Sequence, residues 1–85
     1  MTADQVLQIL QDAVARVMEV PAASVLRETR LHEDLRADSL AIVEIVEIVE
    51  EQVLARTSRP LRLDDAMLDG LVTVGDAVDL VVAGL

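Results

Sequence analysis

The chain has 85 residues, 53 % of them apolar, with no Phe, Trp or Tyr; it sits near the lower size limit for a self-sufficient core, and that core has to be aliphatic. Sixteen acidic residues against 7 basic, all of them Arg, give a net charge of −9, which repels nucleic-acid phosphates and anionic lipid and argues against both as partners. Cysteine is absent and histidine occurs once, so disulfides, thiolate metal sites and a protein-borne thiol nucleophile are excluded, and no metal centre is expected.

Thr2-Ala3-Asp4-Gln5 has the form of a capping box. It lacks the basic start and apolar stretch of a secretion signal, and no apolar run approaches the ~18 residues of a membrane span. The expected setting is the cytoplasm. After the cap, Leu7, Leu10, Val14 and Val17 recur at spacings of three and four, with Ile9, Ala13 and Met18 widening the stripe. The spacing predicts a first helix over about residues 3–19, stopped before Pro21. Asp12 and Arg16 stand four apart, suited to weak support of its exposed face.

Residues 20–37 show no sustained period. Val25, Leu26, Leu31 and Leu35 are scattered anchors in a loop whose length is itself a functional signal. His32 reads as a surface residue of that loop. A second helix is expected from Asp38 or Ser39 to about Leu54, with Ile42, Val46, Val49 and Val53 on its inner stripe and Ile45 bordering it. Leu40, Glu44, Glu47 and Glu51 fall on the opposite side, Ile48 lies at its edge, and Glu50 sits off that face. Arg56, Arg59 and Arg62 mark a loop over residues 55–63, read as solvated. Asp64-Asp65 starts a short helix closed by Gly70, and Thr73-Val74-Gly75-Asp76 caps a last one ending near Gly84.

Charge is segregated: residues 44–51 carry −4, residues 55–63 carry +3 and residues 64–85 carry −5. The expected fold is all-α, a small antiparallel four-helix bundle of three main helices and one short helix, with a long first loop, as a single domain over residues 1–85.

Asp38-Ser39-Leu40, followed by Ile42-Val43-Glu44, resembles the D-S-L-x-x-V-E signature of acyl carrier proteins. The likeness extends to the order of elements over nearly the whole chain. It implies a discrete, non-catalytic carrier with 4′-phosphopantetheine esterified to Ser39, Asp38 assisting the modification, and acyl groups held as thioesters on the arm. It also implies a partner-binding surface at Asp38, Leu40, Glu44, Glu47, Ile48 and Glu51. The implied partners are a phosphopantetheinyl transferase and, with basic docking patches, a ketosynthase, acyltransferase or acyl ligase of polyketide or fatty-acid synthesis. The carrier is expected to be a monomer.

Physical chemistry is compatible with that reading. A phosphodiester at a helix N-terminus meets free N–H groups and the positive end of the dipole. Ser and Asp there are also ordinary helix caps, which is the plainer role for the pair. The aliphatic stripes read as core; a bundle rich in Val and Ala, without aromatics, could also open to shelter an acyl chain. Two departures from the family stand out. Arg36 occupies the position, two before the Asp, where many carriers have Gly; Glu47 stands where many have an apolar residue. An aminoacyl or peptidyl carrier is an alternative, although the G-G-x-S pattern of that branch is missing. A cofactor-free acidic interaction module is another. A serine esterase is disfavoured, because the single His32 precedes Ser39 and no triad can be assembled by analogy.

Overall fold

Local capping chemistry decides where each helix begins. In the computed structural model, which describes residues 1–85, α1 spans Ala3–Met18, α2 Ser39–Thr57, α3 Asp65–Leu68 and α4 Val74–Gly84. A single 3-10 turn, Ala22–Ser24, follows α1. The Thr2 hydroxyl accepts the Gln5 N–H while the Gln5 side chain accepts the Thr2 N–H, so the box read in the sequence closes on both sides. Thr73 and Asp76 repeat the device on α4. Hydrogen bonds from the backbone N–H groups of Thr73 and then Val72, the larger causes, hold the Asp76 carboxyl below its ordinary value of 3.8. Asp64 caps α3 by accepting the Met67 N–H at 2.9 Å.

α1 packs against both α2 and α4. Its inner face buries Val6, Ile9, Leu10, Ala13 and Val14; α4 answers with Val74, Ala77, Val78 and Val81. The core is wholly aliphatic, and no polar or charged residue is buried. The architecture is the expected all-helical bundle.

Three details differ from the sequence reading. On α2 the buried residues are Ile45, Val49 and Val53, whereas Ile42 and Val46 are only half-buried. One flank of α2 lies against α1; the other, where Ile42 and Val46 point, is roofed by Leu63, Leu68 and Leu71 around the short α3. α2 also runs through Thr57, three residues beyond the expected end. Arg56 suits the negative end of the helix dipole, the Thr57 hydroxyl donates to the Val53 carbonyl at 2.8 Å, and Ser58 closes the helix at φ 58°. Lastly, Asp12 and Arg16 form no ion pair; the chain's ion pairs are Arg27–Asp79 and Arg30 with Glu33 and Asp34, and Arg56, Arg59 and Arg62 are exposed and unpaired, as expected.

The long first loop is fastened rather than free. Val25 and Leu31 are buried and Leu35 packs on the core, but Leu26 faces solvent. The Gln11 amide donates to the Val25 carbonyl at 2.8 Å, tying the loop to α1. Backbone bonds tie it to the start of α4: Leu31 N–H to Val72 O at 2.9 Å, Val74 N–H to Thr29 O at 2.9 Å and Gly75 N–H to Arg27 O at 2.8 Å. A Cβ on residue 75 would sit 3.1 Å from that Arg27 oxygen, so glycine permits the approach.

Candidate functional site

The loop delivers its last residues to α2 through a sharp turn. Residues 31–35 form one turn in which Asp34 and Leu35 both donate N–H bonds to the Arg30 carbonyl. Arg36 then takes the left-handed conformation at φ 58°. Two nested bonds surround it, Ala37 N–H to Leu31 O at 2.9 Å and Arg36 N–H to His32 O at 2.9 Å. A left-handed residue inside nested bonds is how helical turns commonly stop, and Gly is the usual occupant. The chain departs from the family's Gly here and still adopts the backbone a Gly would favour. Ala37 is buried next to it.

Asp38 follows as the N-cap of α2, its carboxylate accepting the Ala41 N–H at 2.8 Å. Capping therefore falls to Asp38, and Ser39, the first helical residue, is exposed. Its side chain borders a groove between the 31–35 turn and α3, lined also by His32, Asp38, Ile42, Val43, Asp65, Leu68 and Asp69. The hydroxyl stands at the positive end of a 19-residue helix, within open approach. A phosphodiester fits these surroundings: free helix-terminal N–H groups on one side, open groove on the other.

The outward face of α2 begins at this point. Leu40 is 67 % exposed, and Glu44, Glu47 and Glu51 are exposed along the same face. Val43 and Leu54 join them as exposed apolar residues that the sequence reading did not single out. The signal was present: at ~100° per residue both project near Leu40 and Glu47. Ile48 lies elsewhere. It is half-buried against the core and lines a groove between α1 and α2 with Ile9, Arg16 and Arg56. Glu50 is half-buried too, and its carboxylate accepts the Leu63 N–H at 3.2 Å, holding the segment before α3.

With that geometry in view, comparison with known proteins gives a family. Residues 8–81 match the family described as the phosphopantetheine attachment site. The chain belongs to the acyl carrier protein family. It is 30 % identical over 76 residues to the acyl carrier protein of Saccharopolyspora erythraea, covering 89 % of this chain and 74 % of that one. It is 33 % identical over 78 residues to the acyl carrier protein of Acidothermus cellulolyticus, covering 92 % and 86 % respectively. Membership makes this protein a carrier rather than a catalyst and makes 4′-phosphopantetheine its covalent cofactor. Carriers of this family work with biosynthetic enzymes and a phosphopantetheinyl transferase. No helix of this one is long and apolar enough to cross a membrane.

Proposed function

We propose that Ser39 bears the phosphopantetheine arm and that the protein delivers acyl intermediates to enzymes of polyketide or fatty-acid synthesis. The observation that carries this reading is the division of labour at the start of α2: Asp38 caps the helix, and the exposed Ser39 hydroxyl is left for chemistry. The arm supplies the thiol that a cysteine-free chain lacks, and with it a thioester link to the cargo. Asp38, beside the hydroxyl, assists the transferase in the same reading.

Leu40, Glu44, Glu47 and Glu51 form the docking face for partners with basic patches, and Val43 and Leu54 extend its apolar part. Exposed charges of this kind speed encounter and make binding salt-sensitive, which suits a carrier that has to leave one enzyme for the next. The partners that fit are the transferase and a ketosynthase, acyltransferase or acyl ligase. Ile48 contributes by seating α2 against α1, not by direct docking.

An acyl chain has one apolar place to go. Ile42, Val46, Leu63, Leu68 and Leu71 line a cavity of about 20 Å³ with no polar lining residue. That is room for about one water molecule, so shelter for a chain requires α3 and its flanks to part from α2. Core methyl shifts that move between holo and acylated protein support sheltering; unchanged shifts oppose it.

The attachment reading has a clean assay. Since the chain contains no cysteine, any thiol titre of the protein after incubation with coenzyme A and a phosphopantetheinyl transferase, once repurified away from both, comes from the arm. One thiol per chain is expected for the wild type and none for Ser39→Ala. No thiol in the wild type refutes the assignment.

A further inference from the structure

We propose that His32 holds the phosphodiester at Ser39, seating the root of the arm in the groove between the 31–35 turn and α3 and loosening it as the imidazole loses its proton. The inference rests on the attachment reading and adds a partner for the phosphate.

His32 and Ser39 line the same groove. The other polar lining residues are Asp38, Asp65 and Asp69, all acidic. A phosphodiester on Ser39 therefore adds a negative charge to a site already holding three carboxylates. His32 is the one lining side chain able to carry positive charge. The other cations of the loop are placed differently: Arg30 is occupied by Glu33 and Asp34, Arg27 by Asp79, and Arg36 is not part of the groove lining. The His32 ring joins none of these ion pairs, so it is free to take a ligand.

The backbone beneath the ring is fixed. The His32 carbonyl accepts the Arg36 N–H, and the neighbouring Leu31 is buried with its N–H on Val72. The exposed ring thus moves about an anchored Cα at the lip of the groove. An imidazolium donating to a phosphodiester oxygen makes a charge-assisted hydrogen bond. Deprotonation leaves a single N–H and removes the charge, and imidazole is the side chain that makes this change near physiological pH. Asp38 at the α2 cap, Asp65 in α3 and Asp69 just after it line the same groove, and Glu33 and Asp34 stand on the same turn as the ring. They are present with and without the arm, so the difference between apo and holo protein isolates the phosphate.

The single histidine makes the experiment unambiguous. The imidazole resonances of apo and holo protein are followed against pH by NMR, with the phosphodiester followed by its 31P resonance. A unit negative charge ~6 Å away in a water-like medium raises an imidazole midpoint by about 0.5 unit. The holo midpoint is expected to exceed the apo midpoint by at least that amount. The phosphodiester does not itself titrate near neutrality, so its 31P shift is expected to step with pH at the imidazole midpoint. That step is expected to vanish in holo His32→Gln while the thermal melt of the apo variant stays unchanged. Equal midpoints in apo and holo protein, or a 31P resonance flat with pH in the wild type, overturn the proposal. The intact mass is read first: a sample that gains no phosphopantetheine defeats the attachment reading itself, whereas a modified sample with an unshifted imidazole defeats only the role of His32.

Discussion

Replacing Arg36 with glycine should stabilise the protein, although it removes the only side chain at that position. Arg36 sits at φ 58°, between the nested bonds that turn the loop into α2. A non-glycine residue in the left-handed region costs about 1–2 kcal/mol from the crowding of its Cβ against the backbone. Glycine removes that strain but gives the unfolded chain more freedom, which costs about 0.4–1 kcal/mol. The guanidinium forms no ion pair in the fold, so its loss subtracts little. The net expectation for Arg36→Gly is a gain of about 1 kcal/mol, or ~4–8 °C in Tm for a domain of this size. Arg36→Ala is the control. It removes the same charge but keeps a Cβ in the same backbone, and should leave Tm near the wild type. Thermal unfolding of the three apo proteins, followed by circular dichroism and cross-checked by urea titration, measures the difference. If glycine and alanine behave alike, or glycine is the less stable, the strain argument fails.

Glu44→Lys combined with Glu47→Lys should lower kcat/KM for phosphopantetheinylation about 10-fold at low ionic strength, mainly through KM, with the gap closing at ~0.5 M salt; a deficit that ignores salt contradicts docking through this face. Asp76 has a folded pKa below its unfolded value, so its contribution is fully present above 3.8 and is lost as pH falls through the lower folded value. The stability gap between wild type and Asp76→Asn should therefore be full and flat above 3.8 and shrink only as pH falls below it, as read by urea midpoints at several pH values. Ile9, 2 % exposed, leaves a cavity when cut to alanine, and Ile9→Ala should cost about 2–5 kcal/mol, a large part of the ~4–13 kcal/mol available to a domain this small.

The helix starts were legible because cap chemistry is local. Thr2 with Gln5 and Thr73 with Asp76 each announce a helix within four residues and operate as read, while Asp64-Asp65 marks the start of α3 with Asp64 as its cap. What depends on tertiary neighbours was less visible. The period of α2 placed Ile42, Val46, Val49 and Val53 together, but only contact with α1 makes Ile45 deeper than Val46. Leu26, read as an anchor, faces solvent: the loop is held by Val25 and Leu31 in the core and by backbone bonds to the start of α4. Those bonds leave one trace in the sequence, the glycine at position 75. Around Ser39 the tripeptide and the acidic face were readable from spacing. The left-handed Arg36 was foreshadowed only by the family's preference for Gly, and the groove that His32 and Ser39 share appears only in the fold. Ile48 keeps the edge position its spacing implies, half-buried where α1 lies alongside.

The central claim is a covalent bond at one oxygen, and mass spectrometry addresses it directly. The protein is incubated with coenzyme A and a phosphopantetheinyl transferase, weighed intact, and fragmented. The account predicts a gain of one phosphopantetheinyl group, fragment ions that confine it to Ser39, and no gain in Ser39→Ala. An unmodified wild-type chain, or the group found on another residue, contradicts it.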